Sequence, residues 1–147
     1  MKADLHNHSY YSDGVLSPSA VVALANESGC DLFALTDHDT TDGLDEAIEA
    51  AAELPVNLVT GVEISAFWRN MTIHIVGLDL DTECEELQAG LRHNQEQRAE
   101  RAERIALGLR RAGISDAMEK TQALSKTPML TRTHFAQMLI QEGYCKD

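Results

Sequence analysis

Two histidines separated by a single residue, His6 and His8, stand in the string DLHNHSYYSDG, with Asp13 five positions further on. Side chains at i and i+2 of a strand leave the same face. Two imidazoles at a strand end can therefore converge on one cation, with Asp13 adding an oxygen from the following loop. The same string also suits loop histidines bonded to water or backbone. A second string, TDHDT, sets His38 between Asp37 and Asp39 after another apolar run. His38 is assigned as a ligand, with Asp37 and Asp39 as supporting or capping groups, since Asp39 to Asp42 all suit a helix N-cap. Glu63 follows NLVTGV, where an unpaired carboxylate is costly to bury, so a metal or a cationic partner is expected. His74, inside TIHIVGL, reads alone as a core histidine, but its company makes it a ligand candidate. All six residues fall at or near strand ends, the functional face of barrels and open α/β sheets. Six mixed nitrogen and oxygen donors exceed what one tetrahedral ion needs and imply two ions or more.

The elements that must position these residues can be read from periodicity and punctuation. Residues 3 to 6 form a short extended entry. Ser17-Pro18 reads as N-cap and first helical residue, Val21, Leu24 and Ala25 give the helix an apolar face, and Gly29 ends it. Cys30 to Thr36 has strand length, and Thr41 or Asp42 is expected to cap a second helix running to about Glu53. Val56 to Ile64 and Thr72 to Leu80 are β-branched runs separated by a turn near Arg69-Asn70. This alternation begins an α/β fold with a mainly parallel sheet. From residue 83 to about 112 the chain has no proline and is rich in Glu, Gln, Arg, Ala and Leu, which predicts one long helix or two joined ones. Glu100 and Arg104 are spaced to pair on it, and Gly113 is its stop. Shorter helices are predicted over 116 to 125 and 133 to 142, the second closed by Gly143.

Composition narrows the chemistry. The 147 residues carry a formal net charge of −12. Residues 1 to 80 hold 13 acidic against 2 basic side chains, and residues 81 to 147 hold 11 against 10. Coating of long nucleic acids is disfavoured, because that affinity begins with Lys and Arg neutralising phosphates. Acid clustered with imidazole is the pattern of a divalent-cation site, or else of an acidic surface that aids solubility. Cys30, Cys84 and Cys145 are far apart and form no C-x-x-C pair, which suggests neither a disulfide framework nor a thiolate zinc site. With no signal-like or membrane-length apolar run, a cytoplasmic protein is expected.

The order HNH, SDG, TDHDT, GVEIS, HIVG over residues 4 to 78 resembles the PHP (polymerase and histidinol phosphatase) family of metal-dependent phosphoesterases. The later TRTHFA, residues 131 to 136, is similar to members of the nucleoside 3′,5′-bisphosphate phosphatase and short-RNA 5′-3′ exoribonuclease type. The resemblance implies metal ligands at His6, His8, Asp13, His38, Glu63 and His74. It also implies a phosphate-contacting role for Arg132 and His134, and guanidinium and imidazole suit phosphate oxygens and leaving groups. Two or three divalent ions are expected. Mn²⁺ fits the mixed donors best, with Zn²⁺ or Fe²⁺ also suitable. The implied fold is the first part of a distorted (βα)7-type barrel, residues 1 to 80, followed by a mostly helical insertion, residues 81 to 147. A (βα) barrel ordinarily needs about 250 residues, so the remaining strands and later ligands are expected to be missing. The metal site would then be incomplete and the strand edge open to association.

The implied reaction is attack of metal-bound hydroxide on the phosphorus of a nucleoside 3′,5′-bisphosphate or a short RNA end. The alternatives are a phosphatase for another small monoester such as histidinol phosphate, and a non-catalytic metal-stabilised module. Other features are weaker. His93 is expected to face solvent. Phe67 and Trp68 fit core or crevice packing better than a lip of the site. Arg98, Arg101, Arg104, Arg110 and Arg111, interleaved with Glu96, Glu100 and Glu103, fit a solvated, salt-laced helix better than a nucleic-acid stripe.

Overall fold

A computed structural model describes residues 1–146. The elements run β1 (Ala3–Asn7), α1 (Pro18–Glu27), β2 (Leu32–Leu35), α2 (Leu44–Ala52), β3 (Asn57–Trp68), β4 (Met71–Leu78), α3 (Glu85–Arg111), α4 (Ala117–Leu124) and α5 (Arg132–Gln141). The chain divides into two compact units, Met1–Asn94 and the residues from Gln95 onward. The first third of α3 thus belongs with the sheet.

In the first unit the four strands lie in the order β1-β2-β3-β4. The first three are parallel, as the alternating pattern predicted, and β4 returns antiparallel to β3. The reversal is local. Arg69 and Asn70 both take positive φ, 47° and 64°, which is the conformation that a two-residue hairpin turn demands and that matches the twist of the strands. β3 is longer than its apolar run suggested because hairpin pairing continues to Trp68 opposite Met71. Phe67 and Trp68, expected to pack inside, stand at this hairpin tip and are 74% and 59% exposed. Arg69 lies over the Trp68 ring at 5.5 Å from its centroid.

The core of this unit is one cluster. Val21, Val22 and Ala25 of α1 and Leu44, Ala47 and Ala51 of α2 cover Phe33 and Leu35 of β2 together with Cys30 and Val56. β2, the shortest strand, is buried because both neighbours are strands and both helices flank it. β3 passes very close to it. A methyl group added at Gly61 would lie 2.7 Å from Thr36 Cγ2 and 2.9 Å from the Leu35 carbonyl oxygen, so no side chain fits between the strands there.

Local rules set the helix ends. Ser17 Oγ accepts the Ala20 amide at 3.2 Å, with Pro18 at the first helical position. The start of α2 departs from expectation. Neither Thr41 nor Asp42 caps it; Gly43 is the N-cap and makes no side-chain cap bond. Thr41 contributes its carbonyl to the Leu44 amide instead. Glu46 in the first turn of α2 reaches back to α1, accepting from Ser19 N at 3.1 Å and Ser19 Oγ at 2.6 Å.

The second unit contains the rest of α3 with α4 and α5. Ala102, Ile114, Ala117, Leu130, Phe135 and Met138 form its core. Gly113 and Gly143, at φ 96° and 75°, stop α3 and α5 as expected. Glu100 and Arg104 are 3.7 Å apart on the exposed side, and His93 is exposed. Arg98 is a correction: it is 5% exposed. It falls on the same helical stripe as Ala102, Ile105 and Leu109, not on a solvated face of α3. Among the described residues no helix is long and apolar enough to cross a membrane.

The Glu46 link gives a pH-dependent expectation. The Ser19 hydroxyl is the main influence holding the Glu46 carboxyl below its usual value, aided by the Ser19 amide and Tyr10 and Ser17, while partial burial opposes it. A carboxyl depressed in the folded state contributes stability above its unfolded pKa and loses it as pH falls through the folded value. Glu46→Gln is expected to melt a few degrees below wild type at pH 7, about 2–4 °C. The gap should narrow as pH falls below about 4.3, the ordinary glutamate value, measured by thermal unfolding of both proteins across that range.

Candidate metal centre

The chain brings Glu63 to the middle of the sheet by register. β2 pairs with β3 from Leu32↔Asn57 to Leu35↔Thr60. The same offset resumes past the end of β2 at His38↔Glu63. Two backbone bonds hold this second contact: Glu63 N to Asp37 O at 3.1 Å and Asp39 N to Glu63 O at 3.0 Å. Across the hairpin Glu63 opposes Val76 and Ser65 opposes His74. His74 is therefore the diagonal neighbour of Glu63 on one face of the pair. On the other side, the register of β1 slips between Asp4 and Asn7. Such an irregularity re-aims side chains at a strand end, and His6 and His8 both reach the same carboxylate.

Glu63 is 6% exposed, and four imidazoles surround it. Its Oε2 lies 2.7 Å from His6 Nε2, 3.0 Å from His8 Nε2 and 3.5 Å from His38 Nδ1; Oε1 lies 3.1 Å from His74 Nδ1. The rings follow one another around it, with centroids 5.2 Å apart for His6 and His8, 4.7 Å for His8 and His38, and 4.8 Å for His38 and His74. Asp13 closes the set from the loop, 3.6 Å from His8 Nδ1 and 3.7 Å from His38 Nε2. Burial pushes the Glu63 carboxyl upward, but the His6 hydrogen bond and the charges of His38, His6 and His8 outweigh it and hold it below the ordinary range.

The supporting groups explain why these particular side chains converge. The loop after β1 turns back on Ser9, whose carbonyl accepts from Ser12 N at 3.1 Å and Gly14 N at 2.9 Å. A methyl at Gly14 would lie 2.3 Å from the His8 carbonyl oxygen, so glycine is required beside Asp13. Asp37 sits beneath this loop and caps no helix. It accepts from Ser9 N at 2.8 Å, Ser9 Oγ at 2.6 Å and Ser12 Oγ at 2.6 Å. Ser12 Oγ also lies 3.2 Å from His8 Nδ1, which leaves His8 Nε2 directed at Glu63. Burial pushes the Asp37 carboxyl up, and the bonds from Ser12 and Ser9 partly restore it. Asp39, at φ 52°, accepts from Ser65 N and Ser65 Oγ, both at 2.7 Å, and from Asn94 Nδ2 at 2.8 Å.

The structure thus gathers all six predicted ligands, His6, His8, Asp13, His38, Glu63 and His74, in the first unit. Asp37 and Asp39 act as supports. Ser9, Ser12, Ser65 and Asn94 carry no chemical signature in the sequence, since hydroxyls and amides are common everywhere; only the S-D-G context of Ser12 could have pointed to it.

Three overlapping sets, His6–His8–Glu63, His8–Asp13–His38 and His38–Glu63–His74, each have donor atoms within 4.8 Å of one another. Two atoms each about 2.1 Å from a shared ion lie roughly 3 Å apart, which is the separation seen around Glu63. The donor set contains imidazole and carboxylate without thiolate, suited to Zn²⁺, Mn²⁺ or Fe²⁺. The residues fit a divalent metal.

Arg132 and His134 lie in the second unit. Arg132 is exposed at the first position of α5. His134 is buried and shares a reciprocal cap with Thr131: its Nδ1 accepts from Thr131 N at 3.1 Å, while Thr131 Oγ1 accepts from His134 N at 3.4 Å. The T-x-x-H spacing is therefore a capping box with histidine in the place usually held by Glu or Gln.

A parallel sheet extended by a hairpin, with imidazoles and carboxylates gathered along its strand ends, defines an α/β domain with a candidate metal centre. The chain belongs to the PHP domain family, which matches residues 4–139. It is 43% identical over 145 residues to the 3′,5′-nucleoside bisphosphate phosphatase of Chromobacterium violaceum, covering 98% of this chain and 51% of that protein. To the 5′-3′ exoribonuclease of Haemophilus influenzae it is 45% identical over 142 residues, covering 97% and 52%. A crystal structure from Bifidobacterium adolescentis, described as a metal-dependent phosphoesterase, superposes with a TM-score of 0.90 at 28% identity, covering 99% of this chain and 51% of that one. The chain spans about half the length of the curated relatives it matches.

Metal binding by this set is expected to be measurable directly. Glu63→Gln removes the charge common to two of the three donor sets and is expected to weaken Mn²⁺ or Zn²⁺ binding at least tenfold, about 1.4 kcal/mol, read by isothermal titration. Protons compete for the imidazoles, so wild-type affinity is expected to fall as pH is lowered from 8 to 6. Equal affinity in the variant would remove Glu63 from the site.

Proposed function

We propose that this chain carries the metal-binding part of a phosphoesterase that hydrolyses small phosphorylated nucleotides, nucleoside 3′,5′-bisphosphates or short RNA ends. The observation that carries the reading is the ring of four imidazoles and Asp13 around the buried Glu63 carboxylate. The names borne by relatives above 40% identity support the substrate class. Divalent ions bound there supply a nucleophile at neutral pH and neutralise the oxygens of the transferred phosphoryl group. In this reading two or three Mn²⁺ ions are held by His6, His8, Asp13, His38, Glu63 and His74.

The chain's own residues set the rest. Glu63, buried and held ionised by its histidine neighbours, fixes the negative charge at which cations gather. Asp37 and Ser12 fix the orientation of His8, so that its Nε2 faces the same point. Arg132 is the proposed phosphate contact, with the neighbouring His134. A cation at the first position of a helix opposes the positive end of the helix dipole, and an anion bound there relieves both. Arg132 presents a planar fork for two phosphate oxygens. His134 fixes the start of α5 beside Arg132 through its reciprocal cap with Thr131.

The test is release of inorganic phosphate from adenosine 3′,5′-bisphosphate by the Mn²⁺-loaded protein. Turnover is expected, and Arg132→Ala should raise KM more than it lowers kcat, by about tenfold for loss of one charge-assisted contact. Turnover of histidinol phosphate without turnover of the bisphosphate would overturn the nucleotide assignment. Metal-dependent stability with no ester hydrolysed would instead identify a non-catalytic module.

A further inference from the structure

α3 begins as part of the first unit, and three residues on one face of it are engaged there. Gln88 Nε2 donates to Thr41 Oγ1 and to Thr82 O, both at 2.9 Å. Leu91 is 1% exposed. Asn94 Nδ2 donates to Asp39 Oδ1 and to Ser65 O, both at 2.8 Å. An amide nitrogen has two hydrogens, and Asn94 spends both on this pair.

Both acceptors lie next to metal-site ligands. Asp39 follows His38 directly, and Ser65 is two residues past Glu63 on the same face of β3. The Asp39 carboxylate, 0% exposed, already clasps Ser65 through its amide and hydroxyl. Asp39 also sits in the left-handed region at φ 52°, a conformation that costs free energy in a non-glycine residue and persists only where its surroundings hold it. Asn94 is a third corner of this clasp, and it comes from outside the sheet and its loops.

We propose that Asn94 is a positioning residue of the metal centre: by bonding Asp39 and Ser65 at once, it holds the loop of His38 against the strand of Glu63 and so sets the His38–Glu63 separation on which metal affinity depends. It touches no metal ligand itself. The inference rests on the metal-binding reading above.

The experiment compares wild type, Asn94→Ala, Asn94→Ser and Gln88→Ala. The readouts are the Mn²⁺ dissociation constant, from the electron paramagnetic resonance of the free ion, the visible spectrum of the Co²⁺-loaded proteins, and the melting temperature without metal. Outer partners of metal ligands typically set affinity by about 10–100-fold. Both Asn94 variants are expected to bind Mn²⁺ weaker by about that factor and to show a shifted Co²⁺ spectrum, while remaining folded without metal. Gln88→Ala removes a bond on the same helix face and is expected to bind like wild type. Asn94 variants within twofold of wild type and with its spectrum would overturn the proposal, whatever their melting temperature. So would a Gln88→Ala effect of equal size, which would assign the loss to helix anchoring in general, or failure of both Asn94 variants to fold. Wild type that binds no Mn²⁺ would overturn the metal reading itself, an outcome distinct from normal binding by the variants.

Discussion

The first unit is organised around one buried carboxylate. Glu63 sits in the longest strand, and burying an ionised carboxylate without partners is prohibitive. Its partners here are four imidazoles delivered by three other segments of the chain: the end of β1 with its following loop, the extension of β2, and β4. Each must arrive in register. A slip of one residue between β2 and β3 would turn Glu63 to the opposite face, leaving the histidines without their anion and the carboxylate without its neighbours. The pairing that resumes at His38↔Glu63 is therefore more than a continuation of the sheet, because it aligns the site.

Backbone devices supply that alignment where the strands end. Asp39 in the left-handed region turns the chain out of the sheet while returning an amide to the Glu63 carbonyl. Gly14 lets the first loop close onto the His8 carbonyl, and Ser12 joins Asp37 below to His8 above. Asp37 and Asp39, adjacent to His38 on either side, thus have complementary tasks. One fixes the loop that carries His8 and Asp13, and the other fixes the strand that carries Glu63. Hydroxyl and amide donors bond both carboxylates.

Much of this was legible in the residues. Imidazoles and carboxylates at strand ends are rare enough to declare themselves, and Ser17-Pro18, Gly113 and Gly143 mark helix ends by rules that act within a few residues. What could not be read depends on packing. Thr41 and Asp42 are good caps by type, yet the loop places Gly43 at the helix start and turns Thr41 toward α3. Arg98 looks solvated by charge, but its place on the stripe with Ala102 and Ile105 puts it inside. Phe67 and Trp68 look like core residues, but a turn at Arg69-Asn70 carries them to an exposed hairpin tip. Asn94 shows no signal at all, because its role exists only once α3 lies against Asp39 and Ser65.

The acidic excess of the first 80 residues can now be located. Asp37, Asp39 and Glu63 are buried, and Asp13 is half-buried beside them. The same stretch has two basic side chains, and both are engaged elsewhere. Lys2 bonds the Ser28 carbonyl at the end of α1, and Arg69 covers Trp68 at the hairpin tip. A protein that buries anions ordinarily compensates them with Arg or Lys in contact. Here the groups that face Glu63 and Asp13 are imidazoles, which are cations only when protonated and metal ligands when they are not. The same geometry suits a divalent ion, whose charge mixed imidazole and carboxylate donors can share.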